Sequence, residues 1–372
     1  MKVLITGANG FIGKNLAAYL RERQDIQIVR FYREDAPSSL LSMLEGVDFV
    51  FHLAGVNRPQ KIEEFGEGNT GLTATLCAAI KATARSIPVI YTSSVQAELD
   101  NPYGQSKRDA ERILLDLSEQ KKLPVYLYRL PNVFGKWARP NYNSAVATFC
   151  HNLVRGLPIT VNDPDAPLSL VYIDHVIKSF VEVMDGGLAE GPYLKVEPIY
   201  TTTVGGLVDQ LQAFKQSRDT MITERVGTGL TRALYSTYLS YFTPEVFSYE
   251  VPKHGDARGV FVEMLKTPDS GQFSYFTAHP GVTRGGHYHH SKTEKFLVIK
   301  GQACFRFQHI ISGEFHQLCT DGKTPRIVET VPGWTHDITN IGDGEMIVML
   351  WANEIFDRER PDTYAMPVVT QG

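Results

Sequence analysis

At 372 residues the chain is longer than one ordinary domain, so two or three domains are expected. Hydrophobic residues at 43% and charged residues at 21% mark an ordered globular chain and exclude a disordered or fibrous one. A net charge of -4 gives no electrostatic footprint for nucleic acid or a membrane surface, and no apolar run is long enough to span a bilayer.

In chain order, residues 1 to about 135 alternate short apolar runs with longer amphipathic ones. Strands are predicted at 2–6, 26–32, 48–53, 88–93 and 125–130, and helices at 12–22, 72–84 and 106–119. Strand–helix alternation of this kind predicts a Rossmann-type, doubly wound parallel α/β sheet. The opening run is a first strand ending in a glycine turn and not a signal peptide. Residues 136 to about 242 continue as mixed α/β, with helices at 176–184 and 204–214 and a polar loop at 219–231. The segment 243–252 holds two near-terminal prolines, Pro244 and Pro252, with no helical period, and is the predicted linker. From 253 to 372, β-rich runs at 273–278, 295–299, 303–310, 326–330 and 346–351 are separated by Gly, Pro, Asp and Asn. That spacing predicts an all-β barrel. The division is therefore 1–242, 243–252 and 253–372. Cys77, Cys150, Cys304 and Cys319 form no Cys-x-x-Cys and read as reduced thiols of a cytoplasmic protein.

Gly7-x-x-Gly10-x-x-Gly13 follows the first strand and opens the first helix. Glycine there tightens the turn, admits a pyrophosphate to the backbone and lets helix pack on strand, while the helix N-terminus offers free N–H groups. Phe11 and Ile12 lie within this loop. A carboxylate at the end of the second strand would bind NAD ribose hydroxyls. Here that position is basic: Arg33 pairs with a 2′-phosphate in this reading, which favours NADPH over NADH, with Glu34 and Asp35 following. Tyr103-x-x-x-Lys107 places two ionisable groups one helical turn apart on one face. The ammonium is expected to stabilise the phenolate and lower the tyrosine pKa. Ser94, ending the fourth strand, is placed to hydrogen-bond a substrate carbonyl.

These motifs, with His52-Leu53-Ala54-Gly55, Asn69, Thr92-Ser-Ser94, Arg129-Leu-Pro-Asn132-Val-Phe-Gly135 and Val171-Tyr-Ile-Asp174, resemble the extended short-chain dehydrogenase/reductases over residues 1 to 240. The resemblance implies Ser94, Tyr103 and Lys107 as catalytic residues, Asn132 near the substrate, and Leu53, Ala54 and Gly55 along the cofactor. It also implies a nucleotide-linked sugar as substrate. Thr92 departs from the more frequent serine.

In the last third, His287-x-His289 and Glu294, with His336 from a separate strand, present three imidazoles and one carboxylate. That donor set suits zinc or another divalent metal. The two motifs resemble the cupins over 255–365, with one departure: Pro332 directly precedes Gly333. Asp256-Ala-Arg258-Gly-Val-Phe-Val-Glu263 resembles the signature of cupin-type 4-keto-deoxysugar epimerases and implies that Arg258 contacts a diphosphate. Alternation places Tyr288 and His290 away from the ligand side and leaves Lys295 facing away, so no base for an epimerisation is assigned.

The whole chain resembles the bifunctional capsular polysaccharide synthesis enzymes that carry both domains. That resemblance implies C3 epimerisation of a UDP-linked 4-keto-6-deoxy-HexNAc in the cupin and C4 reduction with NADPH in the first domain. The product implied is UDP-2-acetamido-2,6-dideoxy-L-talose, and the assembly a homodimer through the cupins. Two alternatives stay open: a reductase whose cupin only dimerises and stabilises, and a non-catalytic sugar-nucleotide sensor.

Overall fold

The computed structural model describes residues 1–187, 191–324, 326–359 and 361–369. Contacts divide the chain into two units, Met1–Gln212 with Thr228–Phe242, and Ala213–Gly227 with Thr243–Gly372.

In the first unit, β1 (Lys2–Thr6), β2 (Gln27–Phe31), β3 (Phe49–His52), β4 (Val89–Ser94) and β5 (Val125–Leu130) are parallel neighbours. With β6 (Asn132–Phe134), β7 (Pro167–Tyr172), β8 (Tyr193–Leu194) and β9 (Tyr200–Thr203), they form a six-stranded sheet of order β2-β1-β3-β4-β5-β8 and a small sheet β6-β7-β9. The central strands are apolar along their length because both faces are covered. Val3, Ile5, Phe51 and Ile90 pack on one side with Leu16, Ala17 and Leu20 of the helix Phe11–Leu20. Leu4, Val50, Val89 and Tyr91 pack on the other with Leu76, Ile80, Ala110 and Leu114. The strand order reverses between β1 and β3, which opens a crevice at the carboxyl ends of the strands.

The helix expected at 106–119 starts earlier, at Pro102. Asn101 caps it, its Oδ1 accepting from the Gly104 N–H at 2.8 Å, and Pro102 occupies the first turn, where no N–H is needed. Tyr103 is thereby fixed inside the first turn. The helix expected at 204–214 runs on to Thr220, and a further helix, Gly229–Leu239, begins inside the segment read as a loop.

The second unit is an antiparallel barrel of two sheets. Its strands are β10 (Lys253–Asp256), β11 (Gly259–Thr267), β12 (Gly271–Ala278), β13 (Thr283–Tyr288), β14 (Glu294–Lys300) and β15 (Gln302–His309). They continue with β16 (Phe315–Asp321), β17 (Ile327–Glu329), β18 (Trp334–Asn340), β19 (Met346–Ala352) and β20 (Tyr364–Ala365). The sheet orders are β10-β11-β12-β19-β14-β17 and β16-β15-β18-β13-β20. Phe276, Phe296, Phe305, Phe307, Ile338 and Val348 fill the space between them, a cupin-like arrangement. The stretch Ala213–Gly227, which the sequence reading put before the boundary at 242, is tied into this unit by backbone bonds. The Lys266 N–H donates to the Met221 carbonyl at 2.7 Å and the Thr223 N–H to the Lys266 carbonyl at 2.8 Å. Among the described residues no helix is long and apolar enough to cross a membrane.

Candidate active sites

The glycine loop is built by close approach. Gly7 adopts φ +68°, and a Cβ there would lie 2.8 Å from the Ala54 backbone. A Cβ on Gly13 would lie 2.3 Å from the Gly7 carbonyl oxygen. Gly10 caps the following helix and donates its N–H to the Gly7 carbonyl at 2.8 Å. Gly7 therefore sits directly against the Leu53 and Ala54 backbone, and Phe11 and Ile12 open the helix that follows the loop. His52 anchors this end of the sheet. One ring nitrogen is 2.7 Å from the Thr6 hydroxyl and the other 2.9 Å from the Thr73 hydroxyl, and burial holds its pKa down at about 3.

Arg33 lies exposed in the turn after β2, where the Asp35 carboxylate accepts from the Tyr32 N–H at 2.7 Å. A cavity of about 680 Å³ opens beside the loop, lined by Asn9 and Tyr32 and by Lys14, Arg21 and Arg30, three cations the sequence reading passed over. Arg33 is not among its walls.

Lys107 is buried, and its Nζ donates to the Thr92 carbonyl at 3.0 Å. Gly55 is needed beside it, since a Cβ there would come within 3.2 Å of that nitrogen. Burial lowers the lysine to about 8. Tyr103 runs against expectation: burial raises its phenol, and the Ser94 hydroxyl, hydrogen-bonded to it, opposes the rise. The Lys107 Nζ stands 6.0 Å from the Tyr103 ring centroid, and desolvation is the largest influence on the phenol. Ser94, Tyr103 and Lys107 thus converge at the ends of β4 and the helix Pro102–Lys121. Asn132 stands on β6 in the small sheet and is exposed, its amide donating to the Ser169 carbonyl at 3.2 Å. Asn69 braces the site from a π-helical turn, accepting from the Val56 N–H at 2.8 Å and donating to the Ser106 hydroxyl at 2.9 Å.

In the barrel, His287, His289, Glu294 and His336 each offer one ligand atom, and these atoms lie within 4.8 Å of one another. His289 lies just past the end of β13, which carries a bulge between Gly285 and His287, so plain alternation does not describe this strand. His287 and His336 face each other across the β13–β18 ladder. His289 uses Nδ1 on the Asp362 carbonyl, which leaves Nε2 toward Glu294 at 3.2 Å, and the His336 Nε2 is 3.4 Å from the same carboxylate oxygen. The other His336 nitrogen is buried without a hydrogen-bond partner among the described residues. Burial, then the neighbouring His336, lowers His287 to about 4, so its imidazole is neutral. Burial opposes ionisation of Glu294, but His289, His336 and Lys292 hold its carboxyl well below the usual range. Three imidazoles around an ionised carboxylate, largely enclosed, make a donor set that could hold a divalent metal.

Of the side chains weighed for proton removal, His290 and Lys295 are exposed, Lys295 paired with Glu329, and Tyr288 stacks on Tyr364. Two residues were missed. Lys292 is buried, its Nζ 3.5 Å from Glu294. Arg284 has a buried Nε with no hydrogen-bond partner among the described residues, lies over the Phe276 ring at 5.1 Å and is lowered in pKa by burial. With Arg258, Lys253 and His254 it lines a cavity of about 570 Å³. Arg258 is exposed there and paired with Asp256 at 2.6 Å.

Fold and site together define a two-unit chain: a dinucleotide-binding α/β unit with a Ser–Tyr–Lys set, and a cupin-like barrel with a metal-ligand cluster. The chain belongs to the NAD dependent epimerase/dehydratase family, matched over residues 3–193, and residues 254–364 match the polysaccharide biosynthesis C-terminal domain. It is 62% identical over 368 residues, 99% of both chains, to the UDP-2-acetamido-2,6-beta-L-arabino-hexul-4-ose reductase of Pseudomonas aeruginosa. It is similar to the capsular polysaccharide assembling protein CapF from Staphylococcus aureus, at 40% identity and TM-score 0.92 over 99% of this chain and 100% of that one. The NAD complex of a UDP-glucuronic acid 4-epimerase from Bacillus cereus, at 18% identity and TM-score 0.56 over 65% of this chain and 96% of that one, shares the fold of the first unit. The family and the reductase relative point to a nicotinamide cofactor.

Proposed function

We propose that the chain reduces the C4 ketone of a UDP-linked 2-acetamido-2,6-dideoxy-4-hexulose with NADPH, after its barrel has epimerised C3. The product is UDP-2-acetamido-2,6-dideoxy-L-talose, on the route to UDP-N-acetyl-L-fucosamine for capsule or O-antigen. The observation that carries the reduction is the convergence of Ser94, Tyr103 and buried Lys107 beside the glycine loop, in a chain 62% identical end to end to a 4-ulose reductase.

When bound, NADPH supplies the hydride for C4 and a metal supplies positive charge beside the carbonyl. Ser94 and Tyr103 hold the C4 oxygen, and Tyr103, kept protonated by burial, delivers the proton to it. Lys107 stabilises the phenolate left behind. The loop at Gly7, Gly10 and Gly13 seats the pyrophosphate, and Arg33, with positive charge from Arg30 and Lys14 nearby, supports a phosphorylated cofactor over NADH.

In the barrel, His287, His289, Glu294 and His336 would hold the metal, zinc in the first instance. Arg258 and Arg284, which line one cavity, hold the diphosphate. A 4-ketone acidifies its neighbouring C–H bonds because the carbanion is delocalised as an enolate, so C3 can invert only while the ketone is present. Reduction ends that acidity and fixes the configuration. The resemblance to the two-domain capsular enzymes implies a homodimer through the barrels, which belongs to the same proposal.

Incubation with UDP-4-keto-6-deoxy-HexNAc and NADPH in deuterated water, followed by NMR, tests both steps. Deuterium at C3 with a reduced C4 is expected. Reduction without deuterium at C3 refutes the epimerase, and absence of NADPH oxidation refutes the reductase.

A further inference from the structure

Tyr91 lies on β4, fully buried, between two other ionisable residues. The His52 imidazole stacks on its ring, centroids 5.3 Å apart and planes 29° apart. The Lys107 Nζ sits over the ring, 4.9 Å from its centroid. The Tyr91 hydroxyl is buried with no hydrogen-bond partner among the described residues. A buried phenol is normally retained together with a partner for its hydroxyl. Here the hydroxyl has none, so the part of the side chain that interacts is the ring.

The ammonium needs such a surface. Its hydrogen bond goes to the Thr92 carbonyl, and it is not within ion-pair distance of a carboxylate among the described residues. The ionisable groups facing it are Tyr103 and Glu111 on its own helix, Tyr91 on β4 and His52 on β3. Glu111 is already engaged, by the Ser93 hydroxyl at 2.5 Å and by Arg129 at 2.6 Å. His52 has both ring nitrogens on threonine hydroxyls and is neutral, so it neither attracts nor displaces the ammonium strongly.

We infer that Tyr91 is a positioning residue: its ring face seats the Lys107 ammonium against the Thr92 carbonyl, beneath Tyr103. A cation over a desolvated ring is stabilised in its charged form. Removing the ring destabilises the ammonium, so Lys107 loses its proton at lower pH, and reduction, which needs the charged lysine, fails earlier on the alkaline side. This rests on the reading of Tyr103 and Lys107 as the proton-transfer pair.

The test compares full-length Tyr91→Leu, Tyr91→Met and Tyr91→Phe, with Tyr103→Phe as reference, in kcat against pH for C4 reduction of UDP-4-keto-6-deoxy-HexNAc by NADPH. In Tyr91→Leu the alkaline limb moves about one pH unit toward acid, and kcat at pH 8 falls on the order of tenfold with KM little changed. Tyr91→Met, an adaptable apolar filler, gives the same shift if the leucine variant does not fold. Tyr91→Phe keeps the ring and restores the wild-type limb. An unmoved limb in the leucine and methionine variants overturns the inference, as does a phenylalanine variant that moves as far as they do. Full activity in Tyr103→Phe overturns instead the underlying proton-transfer reading.

Discussion

Lys107→Met should make the first unit more stable and the enzyme inactive. Burial takes the lysine from 10.5 to about 8. At about 1.4 kcal/mol per pH unit, holding the ammonium inside the fold at pH 7 costs about 3.5 kcal/mol. Methionine has similar length and no charge, but it forfeits the bond to the Thr92 carbonyl, worth about 1–1.5 kcal/mol. The net gain is about 2–2.5 kcal/mol, or roughly 4–9 °C in Tm for a unit of this size. The gain carries a pH signature. The native lysine has the lower pKa, so between pH 8 and 10.5 the unfolded chain binds more protons and wild-type stability rises with pH. The methionine variant lacks that rise, so its advantage is full below pH 8 and has reversed by 10.5, where only the lost Thr92 bond remains. Differential scanning calorimetry of both proteins, following the transition that NADPH displaces upward, measures this. A variant less stable than wild type at pH 7, a difference that does not change with pH, or turnover within tenfold of wild type would refute the reasoning.

Four further outcomes follow from the two sites. Arg284→Met should raise KM for the UDP-sugar in C3 deuterium exchange on the order of tenfold or more while leaving NADPH affinity unchanged by fluorescence titration, because it removes a guanidinium that lines the barrel cavity. Chelation, or His287→Ala, should lower the metal content from one ion per chain by elemental analysis and abolish exchange at C3. Loss of barrel stability with exchange intact would favour a purely structural metal. Arg33→Ala should raise KM for NADPH about tenfold without changing that for NADH, read in steady-state kinetics. Glu111→Gln should destabilise the first unit by about 3 kcal/mol in urea unfolding, since it leaves Arg129 without its buried partner and weakens the Ser93 bond.

The strands β1 to β5 were legible because a sheet covered on both faces leaves no polar position to confuse the pattern. Each lies within one residue of its predicted ends. The helix Gly229–Leu239 was not, although Ala233, Leu234, Thr237 and Tyr238 are buried at helical spacing, because Gly227 and Gly229 punctuate its start like a loop. Local pattern also hides burial created by distant strands. Lys292 stands in the polar run Ser291-Lys-Thr293, yet Glu294, Thr363 and the Phe356 ring enclose it. Arg284 precedes Gly285 and Gly286, which both take positive φ, and the strand continues through them as a bulge, with the guanidinium over Phe276. The expected fall in the Tyr103 pKa failed for the same reason: spacing brings the charge near, but the burial that opposes it comes from the folded surroundings.

The histidines show where sequence and structure divide the work. His52 and His287 are both held neutral by burial. A neutral imidazole is a metal ligand only if one nitrogen keeps a free lone pair. At His52 the Thr6 and Thr73 hydroxyls occupy both nitrogens, and a ring stacked on Tyr91 has no room to turn. At His289 the Asp362 carbonyl occupies one nitrogen and fixes the other toward Glu294. The partner on the far side of the ring therefore decides the role. For His289 that partner lies 73 residues downstream, which is why spacing could nominate the ligands but only the folded barrel could orient them.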